Sequence, residues 1–473
     1  MTSTDPVPSA RVKLSGNYTM PLTVISSLFF IFGFITSMND VLIPKFRGVF
    51  QLSYFQSMLI QFCFFLAYFI ISGVYYFLSL KKGDPILKMG YKNALIIGLL
   101  ISSVGSFLFY LAANASSYAL FLLALFILAS GITILQIGAN PYITLLGKPE
   151  TASGRLNLVQ AFNSVGTTIA PLAGGLLILK TISDEMSSSG IETLKAPYLI
   201  ITLILLSLAL IVKISRLPEI KYKEEGRKNA GSNIFFKYRQ LIYGMIGIFM
   251  YVGGEVGIGS FIVNFLGSKD IAGFPEDKAA HYLSFFWGGA MIGRFFGAVF
   301  LSGISKKKKV LYSAVIFTAV YFYLSQMVKS FDIIGIEYYW GLIFINLLAF
   351  IVGSKAPQRT LYIFSFMIII ALLVGIFGRS HCAMWSILGI GLFNSIMFPI
   401  IFSLGVRDIE KDTSQGSSLM IMAAVGGALL PPLQGILADY AGIRLSFLIP
   451  IICYAYLAFY GLYGYKKYQE IQA

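Results

Sequence analysis

Three charged residues interrupt long apolar stretches of this chain, and each could do chemistry there. They are Asp40, beside Asn39 in FGFITSMNDVLIPKF (32–46), Glu255 in YVGGEVGIGSF (251–261) and Arg294 in WGGAMIGRFFGAVF (287–300). At the centre of a membrane span a charged side chain costs roughly 2.5 to 3.5 kcal/mol on insertion scales. Such a residue has to be paired, exchange a proton or cation, or contact a ligand. Asp40 reads as a protonatable or cation-binding carboxylate that cycles between charged and neutral as a cavity opens to either side. The plainer reading is an interfacial carboxylate satisfied by Lys45. Pro44, four residues on, marks a place where the helix ends or bends. Glu255 lies among Gly253, Gly254, Gly257 and Gly259, which let the backbone bend and other groups approach. It reads as a ligand or coupling group, as the internal partner of Arg294, or as both. Arg294 reads as a gating residue or as one half of a structural pair.

Amides add a second pattern. Gln136 and Asn140 are four residues apart and share a helix face, as do Gln160 and Asn163, three apart. Asn39, Asn394 and Gln434 are further amides in apolar segments. A planar amide offers both a donor and an acceptor, the combination that sugar hydroxyls match. Amides in spans also serve simply to hold helices together. Phe162, Phe393, Trp287 and Trp385 are candidate aromatic platforms. His281 and His381 fall at outer helix ends and read as interfacial. Cys63, Cys382 and Cys453 lack ligand spacing and read as packing residues. With no nucleotide-binding loop, metal-ligand cluster or soluble catalytic domain, the chain reads as a non-enzyme without cofactor or metal. Any transport would be passive or driven by an ion gradient.

These residues need elements that hold them in a bilayer. The chain has 473 residues, 57% of them hydrophobic and 12% charged, where soluble domains carry about 25% charged residues. The apolar segments predict fourteen membrane helices, near 19–43, 54–80, 92–112, 117–143, 155–180, 197–215, 241–265, 280–304, 310–328, 338–354, 361–378, 381–404, 415–436 and 444–464. Each is long enough to cross a hydrocarbon core of about 30 Å. The net charge of +15 lies in short runs between these segments, which points to membrane orientation and not to nucleic acid. With the N-terminus inside, 26 basic residues fall on inside segments and 9 on outside ones, leaving Arg294 within a helix. The bias places both termini in the cytoplasm. The resulting organisation is a tail (1–18), a six-helix bundle (19–215), a charged cytoplasmic loop (216–240), a second bundle (241–465) and a tail (466–473).

The segments FGFITSMNDVLIPKF, LSYFQSMLIQFCFFLAYFI, ASGITILQIGANPYITLLG, LNLVQAFNSVGTTIAPLAG, YVGGEVGIGSF, WGGAMIGRFFG and GLFNSIMFPIIFSLG, in this order, carry a resemblance. The chain resembles the fucose–proton symporter and bacterial glucose/galactose transporter family of the major facilitator superfamily, and looks closer to the glucose/galactose branch. The resemblance implies an all-α polytopic membrane protein with the major facilitator fold of two six-helix bundles. Two apolar spans exceed the family's twelve, so a hairpin over 306–354 reads as an insertion, giving about 14 helices. The family's helix-1 aspartate, which serves proton coupling and sugar contact, matches Asp40. Its helix-4 glutamate position is Gln136 here, a departure from the fucose symporters that the glucose/galactose branch shares, along with the GGE around Glu255. The helix-5 glutamine that looks like a sugar contact matches Gln160.

The implied function is hexose import by alternating access in symport with H+ or Na+. Asp40 and Glu255 are the coupling candidates, and a sodium ion would sit near Asp40. Asn39, Gln136, Asn140, Gln160, Asn163, Glu255 and Asn394 are the candidate sugar contacts. The alternatives are fucose, mannose, N-acetylglucosamine or a non-sugar polar solute. The expected partners are a monosaccharide, the coupling cation and the lipid bilayer, with no nucleic acid. The expected state is a functional monomer in a bacterial cytoplasmic (inner) membrane.

Overall fold

A computed structural model describes residues 18–52, 54–174, 194–220, 234–331, 333–354, 356–409 and 412–465. Among the described residues the regular structure is helical, without strands. In lipid, backbone groups have no water to bond, and a helix closes their hydrogen bonds within one segment. The first six long helices are α1 (Thr19–Phe50), α2 (Tyr54–Lys82), α3 (Tyr91–Asn114), α4 (Tyr118–Leu145), α5 (Ala152–Gly174) and α6 (Lys195–Ile214). The next six are α7 (Arg239–Gly267), α8 (Glu276–Phe300), α9 (Lys306–Phe331), α10 (Ile336–Gly353), α11 (Pro357–Phe377) and α12 (Ser380–Gly405). Then come α13 (Thr413–Ala441) and α14 (Ile443–Gly464).

Among the described residues, 13 helices are long and apolar enough to cross a membrane. The remaining one, α5, has 23 residues but is diluted by Ser153, Asn157, Gln160, Asn163, Ser164, Thr167 and Thr168. Its polarity is what a helix lining a protein seam requires, since none of those groups has to face lipid.

Among the described residues three helices are interrupted, α12, α13 and α14, the last at Phe447. α12 consists of Ser380–Asn394 and Met397–Gly405, separated by a turn at Ser395 and Ile396. α13 tightens into a 3₁₀ turn at Ala423–Val425 before continuing from Gly426. α1, by contrast, does not stop at Pro44 but runs on to Phe50. Proline removes one helical hydrogen bond, yet the stretch beyond it is held by packing. Phe46 is buried with its ring 4.6 Å from that of Phe121 on α4.

α1–α6 form one packed group and α7–α14 a second. In the first, α1 packs on α5, and α4 on α2 and α3. In the second, α7 packs on α13, and α12 on α8 and α11. Each set closes on a glycine. A Cβ on Gly166 would lie 2.1 Å from the Phe30 carbonyl oxygen, and one on Gly105 2.2 Å from the Leu128 nitrogen. The matching distances in the second group are 2.1 Å for Gly426 against the Phe249 oxygen and 1.9 Å for Gly391 against the Phe286 oxygen. Small residues let backbones touch where no hydrophobic effect drives helix association. α9 and α10 lie outside this arrangement, α9 against α8 and α10 against α8, α11 and α12.

The two groups meet along α5 and α8, and also at the end that carries the basic loops. Tyr91 and Ser414 hydroxyls lie 3.0 Å apart, and those of Ser153 and Ser403 2.6 Å apart. The first segment of α13, Thr413–Met422, packs on α2 and α4, whereas the segment from Gly426 packs chiefly on α7. Its outer side chains Leu429, Leu433, Ile436 and Tyr440 are exposed.

Candidate functional site

Polar residues at mid-depth fall into two sets, one per bundle. In the first, Gln136 on α4 donates from Nε2 to the Tyr68 hydroxyl on α2 at 2.6 Å. One turn along α4, Asn140 is fully buried, and neither its Oδ1 nor its Nδ2 has a partner. On α5, Gln160 is buried. One turn later Ser164 donates to the Gln160 carbonyl at 3.2 Å. Asn163 turns to the other side, where its Nδ2 donates to the Phe29 carbonyl at 3.0 Å and ties α5 to α1. The two α5 amides thus diverge, and Asn163 takes the helix-joining role. Asn39 and Asp40 lie on α1, and their side chains are outside the described residues.

In the second bundle, Glu255 follows Tyr251 by one turn of α7. The Glu255 carboxyl lies within electrostatic reach of Arg294 and beside the Tyr251 hydroxyl. A direct ion pair between Glu255 and Arg294 is not formed, and Glu255 Oε1 is buried without a hydrogen bond. Arg294 spends its donors elsewhere: Nε donates to the Ser395 carbonyl at 3.3 Å, and Nη1 donates to the Ser164 hydroxyl. The Ser395 carbonyl is available because Pro399, four residues on, has no N–H to offer it. Next to the break, Asn394 is fully buried. Its Oδ1 accepts from the Tyr454 hydroxyl, while its Nδ2 has no partner.

The Arg294–Ser164 bond joins the two sets. Along α8 the residues facing α5 form a stripe: Met291 accepts from the Thr168 hydroxyl at 3.8 Å, and the Phe295 and Phe162 rings lie 6.2 Å apart. Trp287, one turn outward of Met291, is 42% exposed, so it alone of the two candidate tryptophans has a free ring face. Trp385 and Phe393 are core residues; the Trp385 indole N–H donates to the Ile334 carbonyl at 3.2 Å. His281 is occupied in stacking on Phe331 at 4.1 Å. Gln434 joins α13 to α14 through Ser446 at 3.4 Å. The described residues hold no cluster of three or more potential metal ligands. A small pocket of about 120 Å³ beside Phe30, Ile31, Phe34, Ile201 and Ile204 is wholly apolar and suits no polar solute.

Tyr68, Tyr251 and Tyr454 were not legible as site residues. With 28 tyrosines in the chain, only a hydroxyl bonded to a buried amide, for Tyr68 and Tyr454, or buried beside a carboxylate without a bond, for Tyr251, separates these from packing residues.

The family model described as Major Facilitator Superfamily matches residues 25–353. The chain belongs to the major facilitator superfamily. It is 45% identical to a glucose/galactose transporter of Brucella abortus biovar 1 (strain 9-941), over 95% of this chain and 95% of that one. Identity is 38% to a putative glucose/galactose transporter of Helicobacter pylori (strain ATCC 700392 / 26695), over 95% of this chain and 98% of that one. The Escherichia coli fucose:proton symporter FucP, solved in an outward conformation, superposes with a TM-score of 0.74 at 28% identity. That match covers 94% of this chain and 99% of FucP. The superfamily member described here is therefore a multi-pass membrane transporter and not an enzyme. By identity it stands nearer the glucose/galactose transporters than FucP.

Proposed function

We propose that this protein imports a hexose of the glucose or galactose type in symport with a proton, by alternating access around the seam between the bundles. The observation that carries the reading is a set of buried polar atoms without partners in both bundles: both amide atoms of Asn140 in the first, and Nδ2 of Asn394 and Oε1 of Glu255 in the second. A buried donor or acceptor left unmade costs roughly 1 to 3 kcal/mol. A polyhydroxylated ligand would relieve that cost on both bundles at once, which is what a carrier site between two moving halves requires. The names of the two relatives support a hexose, and that of FucP supports a proton. Gln136, Gln160 and Asn39 join the site in this reading, with Trp287 as an aromatic face.

Contacts between the halves toward the basic-loop end support reading this as an outward-facing arrangement with that end in the cytoplasm. Asp40 is the coupling carboxylate. Sugar and proton each raise the other's affinity, because linkage is reciprocal. Arg294 ties the halves together through Ser164, one turn outward of Gln160, until both have bound.

The test is radiolabelled glucose and galactose uptake into proteoliposomes under a pH gradient or a Na+ gradient, comparing wild type with Asp40→Asn. Uptake following the pH gradient, with accumulation lost but equilibrium exchange retained in the variant, is the expected result. Uptake following only the Na+ gradient would overturn proton coupling. Folded protein that moves neither sugar would overturn the hexose, and fucose, mannose, N-acetylglucosamine and other polar solutes would be screened next.

A further inference from the structure

The hairpin of α9 and α10 has more to do than fill lipid. Much of it does face outward: Val310, Leu311, Val315 and Phe322 on α9 and Phe344, Ile351 and Val352 on α10 are at least half exposed. Four of its polar bonds, however, run inward to α8 and α12 beside the candidate site. The Ile334 N–H donates to the Tyr282 hydroxyl on α8 at 2.9 Å, and the Ile334 carbonyl accepts from Trp385 on α12. The Tyr339 hydroxyl donates to the Phe285 carbonyl at 2.8 Å. Asn346, fully buried, donates from Nδ2 to the Leu392 carbonyl at 3.1 Å.

That last bond falls on the α12 break. Leu392 also accepts from the Ser395 hydroxyl at 2.7 Å, and Ser395 is the residue whose carbonyl Arg294 holds. Asn394 lies between the two. A second link runs through rings: Phe350 on α10 lies 4.7 Å from Phe364 on α11, which lies 5.3 Å from Phe393. An asparagine is an expensive residue for a peripheral span, and Asn346 Oδ1 has no partner at all. Packing alone would be served better by leucine.

We propose that the hairpin braces the break in α12, with Asn346 as the positioning residue that holds the Leu392 carbonyl and thereby aims Asn394 at the ligand. The aim of Asn394 at a ligand rests on the transport reading above; the brace itself does not. α9 and α10 then move with the second bundle as one body, and the hairpin sets how firmly the break is held while the halves exchange.

The test uses the full chain in detergent, without substrate, and measures hydrogen–deuterium exchange across residues 390–398 in wild type, Asn346→Leu and Tyr282→Phe. Asn346→Leu keeps the volume and removes the donor. It is expected to raise exchange several-fold at the break while the rest of the second bundle stays protected. Tyr282→Phe, which loosens only the hairpin tip, is expected to raise exchange near 333–336 and leave 390–398 unchanged. In transport, Asn346→Leu is expected to raise KM by roughly threefold to tenfold with a smaller change in maximal rate, the size of one lost hydrogen bond. Unchanged exchange at 390–398 would overturn the brace, as would an equal rise across the whole bundle. Wild-type protein that carries no hexose would overturn the hexose reading alone, since the exchange comparison needs no sugar.

Discussion

α4 and α12 occupy the same place in their bundles and carry the same unusual residues, yet they have resolved them in opposite ways. Each has a fully buried asparagine with a proline close behind, Asn140 with Pro141 and Asn394 with Pro399. α4 passes its proline as one helix from Tyr118 to Leu145, and its asparagine is left with no partner for either amide atom. α12 breaks, and the carbonyls at the break are met by Asn346, Ser395 and Arg294. Its asparagine accepts at Oδ1 from the Tyr454 hydroxyl and keeps one free donor. The difference is one of neighbours. α12 has an arginine on α8 and an asparagine on the hairpin within reach, so it can break without leaving polar backbone bare. The first bundle places a tyrosine, Tyr68, beside α4, and it serves Gln136. Composition alone therefore does not say which asparagine is scaffold and which is free for a ligand.

The sharpest way to break this comparison is to crowd each helix at a glycine. A Cβ on Gly391 would meet the Phe286 backbone, whereas one on Gly138 of α4 would find its nearest neighbour, the Ala94 Cβ, at 3.6 Å. Backbone cannot yield as a flexible side chain does, and overpacking of this kind costs about 1 to 3 kcal/mol or more. Gly391→Ala is expected to fail to fold or to lose many degrees of thermal stability in detergent. Gly138→Ala should fold as well as wild type, or better, since alanine favours helix by about 1 kcal/mol. Equal damage from both would mean that α4 is packed as closely at Gly138 as α12 is at Gly391.

The next contrast concerns the asparagines. Asn140→Leu removes an amide that no protein group answers, so thermal stability should hold or rise while sugar binding falls by tenfold or more. Asn394→Leu strands the Tyr454 hydroxyl inside the bundle, a loss of roughly 1 to 3 kcal/mol, and should lower stability as well as transport. Calorimetry beside uptake on the same preparations separates the two. If Asn140→Leu destabilised as much as Asn394→Leu, Asn140 would be scaffold too and the proposed site would lose its central residue.

How far this was legible differs between the helices for the same reason. The apolar runs fixed the long helices, because span length and hydropathy act locally along the chain. The placement of Gln136 and Asn140 on one face follows from 3.6-residue periodicity, whereas the same periodicity put Gln160 and Asn163 together and gave no sign that Asn163 would turn to the Phe29 carbonyl. Nothing local indicated that Arg294 would prefer the Ser395 carbonyl and the Ser164 hydroxyl to Glu255. That choice depends on Pro399 freeing a carbonyl and on α8 lying against α12, which is tertiary information. Trp385 and Phe393 looked like platforms for the same reason that they are core: aromatic residues serve both roles, and only burial tells them apart. Asn346 carries no such signal, since a lone amide in a peripheral span has no spacing to announce a partner.

The smallest expected effect tests whether α4 has a support of its own at the basic-loop end. The short helix Pro85–Met89 sets Ile86 under Gly138, with a distance of 3.7 Å to a Cβ there. Asp84 caps that helix, accepting from the Ile86 N–H at 2.9 Å and from the Tyr75 hydroxyl at 2.5 Å. Burial pushes the Asp84 carboxyl above the usual carboxylate value, against the pull of its hydrogen bonds from Tyr75, Leu87 and Ile86. The folded protein therefore binds more protons than the unfolded chain between the ordinary value and the raised one. Stability from this group is greatest below the ordinary value, falls as pH rises through that window, and is flat above it. Asp84→Asn keeps an acceptor and should remove the slope without moving the acid limit. Asp84→Ala also loses the cap, and should cost about 1 kcal/mol at every pH. Thermal unfolding of the three proteins from pH 4 to pH 8 checks this. A slope of the opposite sign in wild type would mean that Asp84 is held charged, as an ordinary exposed cap would be, and that α4 does not rest on a buried carboxyl at this end.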